Sequence, residues 1–338
     1  MEKFILPKEK LIDFLKALES YDLFAPVRKE EVTVFAQVNK IDGTTFDFKN
    51  QPLTPKGIMF PQTESLFTFD TKTYAMNDSA MTPKKQRVMF GLRPCDARSF
   101  LILDPVFKQD YPDPYYLEKR TATILIGINC SEPFTNCFCT SVGGSPASQE
   151  GLDLLFIELP NSYFVEVISP QGKTIVEEAS SLLSSASPEE EKIKDEIVQA
   201  VKEKIKRNIE TKHLPEKIEK IFENPIWKDL AFKCIGCGIC TYTCPTCYCF
   251  DIQDEVLKGG GKRQRIWDSC MFKEYTLHAS GHNPRPTRAE RLRNRIYHKF
   301  KQNIDKYGVA GCVGCGRCIS FCPVNEDLIE NLMKIKKL

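Results

Sequence analysis

Eight cysteines near the C-terminus fall into two runs with one spacing. Cys234, Cys237, Cys240 and Cys244 read C-x2-C-x2-C-x3-C-P, and Cys312, Cys315, Cys318 and Cys322 repeat the pattern, again followed by proline. Thiolates at every third residue of a short loop can wrap three corners of a cubane iron–sulfur cluster, and the fourth ligand has to come from elsewhere. In two-cluster ferredoxins the last cysteine of each run crosses to the other cluster, and the proline turns the chain away. On that pattern Cys234, Cys237, Cys240 and Cys322 hold one [4Fe–4S] cluster, while Cys312, Cys315, Cys318 and Cys244 hold a second. Gly236, Gly238, Gly314 and Gly316, with no β-carbon, let backbone amides approach the sulfides. Zinc is the alternative occupant, but zinc sites usually show paired cysteines rather than a doubled run of four.

The remaining cysteines form two groups. RVMFGLRPCD and ATILIGINC read as buried strands that each end in a cysteine, which would bring Cys95 and Cys130 to one edge of a sheet. Cys137 and Cys139 follow in CFC, and the glycines of SVGGSP could wrap amides around an anionic centre. A third iron–sulfur cluster on Cys95, Cys130, Cys137 and Cys139 is one expectation; buried thiols and a structural zinc ion are the others. Cys247, Cys249 and Cys270 either seal the clusters as small buried hydrophobes or have a redox or ligand role. Cys244 is expected to be the crossing ligand rather than Cys247 or Cys249, because its spacing and Pro245 match Cys322 and Pro323.

These residues must be positioned by the elements around them. Between the two runs lie a turn-forming KGGGKR, then IWDSCMF, a proline-broken GHNPRPTR, and a helix from about Ala289. Arg285, Arg288, Arg291, Arg293, Arg295, Lys299 and Lys301 follow closely there. They read as a solvated helix face whose charge offsets the anionic clusters, with a docking surface for an acidic partner as the alternative. Upstream, composition changes at about Glu177. Ser187, Pro188 and Glu190 form a capping box that starts a helix with a stripe at Ile193, Ile197, Val201, Ile205 and Ile209, and a short helix follows from about Pro215 to Phe222. Short β-rich runs separated by Pro and Gly fill the N-terminal part. The expected class is α+β: a mixed α/β domain over 1–177, a helical connector over 178–230, and a two-cluster ferredoxin-like domain over 231–338 with an insertion at 250–308.

With 42% apolar and 27% charged residues the chain is globular in composition, and a net charge of +2 gives no general pull toward nucleic acid or acidic lipid. MEKFILPKEK carries no apolar h-region and no run is long enough to span a bilayer, so a cytoplasmic location without membrane contact is expected. In a reducing compartment fifteen cysteines point to metal ligands rather than disulfides. There is no G-x-G-x-x-G fingerprint, no P-loop and no obvious flavin motif, so no flavin is expected on this chain. Four histidines leave few acid–base groups. If the chain catalysed a reaction alone, Asp96 and Arg98 beside Cys95, or His278 and His282, would be the candidates. An iron–sulfur sensor working through the basic segment is a further alternative.

GLRPCDARSF, GINCSEPFTNCFCTSVGG, CIGCGICTYTCPTCYCFDI, IWDSC, GHNPRPTRAERLRNRIYHKF and CVGCGRCISFCPVN together resemble the iron–sulfur β subunit of cytoplasmic sulfhydrogenases and the similar iron–sulfur component of anaerobic sulfite reductase. The resemblance covers nearly the whole length. It implies a hetero-oligomeric electron-transfer subunit without substrate chemistry of its own. Such a subunit relays single electrons between a flavin subunit that exchanges hydride with NAD(P)H and a catalytic subunit, whether hydrogenase, sulfite reductase or a heterodisulfide-reductase-linked enzyme.

Overall fold

The two long apolar runs, Arg87–Leu92 and Thr123–Ile128, become central parallel strands in the computed structural model, which describes residues 2–38, 41, 44–45, 52–78, 83 and 85–338. Every residue of both is buried, as a parallel sheet covered on two faces requires. In chain order the strands are β1 (Lys3–Pro7), β2 (Asp22–Lys29), β3 (Val32–Gln37), β4 (Thr63–Asp70), β5 (Met76–Asp78), β6 (Arg87–Leu92) and β7 (Thr123–Ile128). They continue with β8 (Leu154–Glu158), β9 (Ser162–Val167), β10 (Ser184–Ser185), β11 (Phe250–Leu257) and β12 (Gly260–Trp267). Among the described residues one sheet has the order β10-β1-β9-β8-β7-β6-β2-β3, and β2, β6, β7 and β8 are its parallel members. Val88, Phe90, Ile124 and Ile126 point into a core on one face, with Leu6, Phe14 and Phe156. Met89, Leu92 and Leu125 point to the other, with Phe100, Leu155 and Phe164. At the end of β6 the register with β7 shifts between Phe90 and Leu92, where Gly91 takes a left-handed φ of 85°. Three residues beyond Leu92 comes Cys95.

The stretch 178–230 divides between two cores. Its helix, Pro188–Glu203, starts at the expected box: the Ser187 hydroxyl accepts from the Glu190 amide, and the Glu190 carboxylate accepts from the Ser187 amide at 2.8 Å. Ile193 and Ile197 pack onto the large sheet, and β10 pairs with β1. Ile209, Leu214, Ile218, Trp227 and Leu230 instead join the C-terminal helices around Leu292, Ile296, Phe300, Ile329 and Leu332. Ile205 and Ile209 lie beyond the end of the helix whose stripe they were expected to extend.

The segment between the cysteine runs is not an isolated excursion. Its hairpin β11–β12 pairs through β12 with β4, building a second sheet of order β11-β12-β4-β5 from both ends of the chain. Trp267, at the end of β12, stacks on Phe60 with centroids 5.8 Å apart and donates its indole N–H to the Phe60 carbonyl at 3.0 Å. Arg265 on the same strand is buried against Glu64 of β4 and Asp113. That anchoring returns the chain at Asp268 to the first cysteine run, where the Asp268 amide donates to the Cys249 carbonyl at 3.0 Å.

Candidate iron–sulfur site

Both cysteine runs fold as tight loops leading into single-turn helices, Ile239–Tyr242 and Arg317–Ser320, each preceded by a glycine in left-handed conformation. Two cavities lie between them. Cys234, Cys237, Cys240 and Cys322 line the first, with Cys318 on its wall. Cys244, Cys312, Cys315 and Cys318 line the second. Each run therefore sends its last cysteine to the cavity of the other, the juxtaposition expected of crossing ligands. Amides reach the sulfurs as well: the Gly314 amide donates to Cys312 Sγ at 3.4 Å, and that of Glu326 to Cys322 Sγ at 3.2 Å.

The cationic residues correct the reading of the basic segment as a solvated face. Arg291, Arg295 and Lys299 occur every fourth residue along Arg288–Tyr297 and the π-helical turn that continues it. All three are buried; Arg295 and Lys299 line the cysteine cavities, and Arg291 donates to the Arg285 and Pro286 carbonyls at 3.2 and 2.9 Å. Lys299 Nζ donates to Cys244 Sγ at 3.3 Å, to Thr246 Oγ1 at 3.0 Å and to the Gly311 carbonyl at 2.8 Å. Arg295 lines both cavities, and its Nε and Nη2 have no hydrogen-bond partner among the described residues. A buried guanidinium without an acceptor costs several kcal/mol, so its setting calls for an anionic occupant, which the thiolate-bound cluster is. Other members of the segment hold neighbouring elements: Arg288 donates to the Cys234 carbonyl at 2.6 Å, and Arg293 lies over the Phe222 ring.

Burial pushes the thiols of Cys240 and Cys312 up to about 12 and that of Cys315 to about 11. Cys244 is held well below the ordinary thiol value, first by a hydrogen bond with Cys247 and also by Lys299. Lys56, which no sequence motif marks, is buried with its Nζ 4.1 Å from the Trp267 ring centroid and 2.7 Å from the Cys247 carbonyl oxygen. Burial lowers its pKa to about 8 even though the thiolates of Cys247 and Cys244 pull the other way. A lone lysine in PLTPKGIMF gives no sign of this position, whereas the four-residue spacing of Arg291, Arg295 and Lys299 was a readable one.

The N-terminal cysteines lie against the second run. Cys95 follows β6 in the first turn of the helix Pro94–Phe107, Cys130 follows β7, and Cys137 and Cys139 sit in the loop beyond. A β-carbon on Gly314 would come within 2.6 Å of the Cys139 backbone, and one on Gly316 within 2.5 Å of the Asn136 carbonyl. These two glycines thus serve a close backbone approach between the second run and the loop at 136–139, and Gly314 also gives its amide access to sulfur. Asp96 and Arg317 form a fully buried bidentate pair at 2.6 and 2.8 Å that ties the same two regions together. Asp96 therefore has its carboxylate engaged, and Arg98 is held by Glu150 and the Val142 carbonyl. His278 and His282 stand on an exposed turn with rings 5.3 Å apart. The structure does not bring these four candidate acid–base residues into one site.

Two cysteine-lined cavities, each reached by the last cysteine of the other run and flanked by buried cations, mark an iron–sulfur protein. Residues 233–326 match the family model of the 4Fe-4S dicluster domain. Over 316 residues the chain is 32% identical to sulfhydrogenase 2 subunit beta of Pyrococcus furiosus, a match that spans 93% of this chain and 92% of that protein. The chain belongs to the sulfhydrogenase β-subunit family. No solved structure matches it. Among the described residues no helix is long and apolar enough to cross a membrane.

Proposed function

We propose that this chain is the electron-relay subunit of a cytoplasmic hetero-oligomeric oxidoreductase. It would pass single electrons between a flavin- and NAD(P)-binding subunit and a catalytic subunit of hydrogenase, sulfite-reductase or heterodisulfide-reductase-linked type. Cys234, Cys237, Cys240 and Cys322 hold one [4Fe–4S] cluster in this reading, and Cys312, Cys315, Cys318 and Cys244 the other. When bound, each cubane supplies a site that takes up and gives back one electron. The residues do the rest. Cys318 and Arg295 stand on the walls of both cavities and keep the two sites adjacent. Arg295 and Lys299 favour added negative charge there, while Phe300, Ile319 and Leu328 exclude water. The first site reaches the surface at Cys237, which is exposed and flanked by Phe232 and Ile235, 82% and 58% exposed. Electrons would enter or leave at that apolar rim.

The observation that carries this reading is Arg295, a buried guanidinium whose Nε and Nη2 find no partner among the described residues, set between two cavities whose cysteines exchange partners. The name of the relative, which makes it one component of a sulfhydrogenase, supports a multi-subunit setting. Anaerobic affinity purification of the tagged chain from its host, with mass spectrometry of stoichiometric partners, tests it. Co-purification with a flavin subunit and a nickel–iron, siroheme or heterodisulfide-type subunit is expected and would name the acceptor. A lone chain or homodimer fully loaded with iron would refute the relay.

A further inference from the structure

We propose that Cys95, Cys130, Cys137 and Cys139 hold a third iron–sulfur cluster, placed beside the second cysteine run. This goes beyond the two-cluster reading and does not depend on it. The four residues come from three places that the parallel sheet brings together: Cys95 just after β6, Cys130 just after β7, and the loop that carries Cys137 and Cys139. The carboxyl ends of adjacent parallel strands are where such sheets place their ligands.

The loop is held in place rather than merely nearby. The Phe138 amide donates to the Gly314 carbonyl at 2.8 Å, the Cys130 amide to the Pro146 carbonyl at 2.9 Å, and the Cys137 thiol to the Cys315 carbonyl at 3.5 Å.

The alternative of small hydrophobes filling a core does not describe this place. Cys130, Cys137 and Cys139 pack into none of the four apolar clusters formed by the described residues, and only Cys95 touches one, a small patch with Ile102, Val313 and Cys315. Polar groups suited to an anion surround them instead. The first turn of the 14-residue helix Pro94–Phe107 carries Cys95, Arg93 donates to the Asn129 carbonyl beside Cys130 at 2.5 Å, and Gly143 and Gly144 close the far side beside Arg98.

The position adds a function to the site. Cys315, a wall of the second cavity, packs beside Cys95, so a cluster here extends the row of sites toward the large sheet.

The test is iron and acid-labile sulfide per full-length chain, purified anaerobically, in the wild type and in a Cys130→Ser/Cys137→Ser variant. Since each cubane holds about four irons, the wild type should carry about twelve and the variant about eight, with the EPR of the C-terminal clusters unchanged. A wild type with about eight irons that the exchange leaves at about eight overturns the third site and keeps the two-cluster reading. A wild type with about eight that falls to about four keeps this site and removes one C-terminal cluster. Stoichiometric zinc in the wild type that the exchange removes, with iron unchanged, also overturns it. Should the double variant not fold, Cys139→Ser on its own gives the same readout.

Discussion

Replacing Lys299 by methionine should make the cluster held by Cys244, Cys312, Cys315 and Cys318 harder to reduce. The ammonium lies 3.3 Å from Cys244 Sγ and is buried, so bulk water screens it little. An added electron spreads over the whole cubane, so an effective separation of roughly 6 Å and an effective dielectric of about 20 are reasonable, giving about 3 kcal/mol of attraction. For a one-electron couple, where about 1.4 kcal/mol corresponds to about 59 mV, that attraction is worth about 120 mV. Relaxation around the lost charge trims it, and a fall of roughly 60–120 mV is expected. The fold should survive, because Thr246 still donates to the Gly311 carbonyl at 2.8 Å and methionine keeps the volume. EPR-monitored potentiometry of the anaerobic protein is the assay, with Lys301→Met as a distant control since Lys301 pairs with Asp305 and Glu219. An unchanged potential in a Lys299→Met protein that retains its iron would separate Lys299 from the cluster. The assignment of Cys244 as crossing ligand would then fail too.

Arg317→Met should lower stability by about 3–5 kcal/mol, because it strands the buried Asp96 carboxylate; Asp96→Leu/Arg317→Met should recover much of that loss. Equal anaerobic melting temperatures for the single and double variants would contradict this. His298, hydrogen-bonded to Tyr248 at 2.9 Å, is pushed down to about 4, first by burial and then by Lys299. The unfolded chain takes up that proton near pH 6.5 and the folded chain only near 4, so stability is lost as pH falls between those values, by at most about 3 kcal/mol. His298→Gln should flatten this part of the stability–pH curve, and a curve parallel to the wild type would be inconsistent with a neutral buried imidazole. Cys247→Ser should leave both C-terminal EPR signals in place, because Cys247 lines neither cavity; loss of a signal would make it a ligand.

The convergence of the two cysteine runs on shared cavities was legible because the signal is local: cysteines at every third residue of a short loop turn to one side. The strands that end at Cys95 and Cys130 were legible for a related reason, since a strand buried on both faces has no polar positions to interrupt it. The capping box at Ser187 was equally local. What depended on distant partners was not. The β11–β12 hairpin reads as a loop-out until β4, nearly two hundred residues earlier, supplies its neighbour. Arg317 looks like a departure from Ile239 at the same place in the first run, and only Asp96 explains it. The basic segment was misread because charge alone suggests solvent, although spacing by four had placed Arg291, Arg295 and Lys299 on one face.

Those buried cations tie metal content to fold. Without iron, burial would keep Cys240 and Cys312 protonated, leaving Arg295 opposite neutral thiols while Lys299 keeps its contact with Cys244 Sγ. A buried guanidinium so placed carries a desolvation cost with little in return. Iron binding exchanges the thiol protons for metal and leaves a net anionic assembly, which supplies the missing counter-charge. The large sheet stands apart from this balance, since its two cores are aliphatic and aromatic and contain none of the C-terminal ligands. The core around Leu292, Ile296 and Phe300 does include Cys234, Cys240, Cys312 and Cys318. With the clusters bound, the residues that set the electrostatic field there would also tie the stability of the C-terminal half to iron, and the Asp96–Arg317 pair and the loop carrying Cys137 and Cys139 join that half to the large sheet.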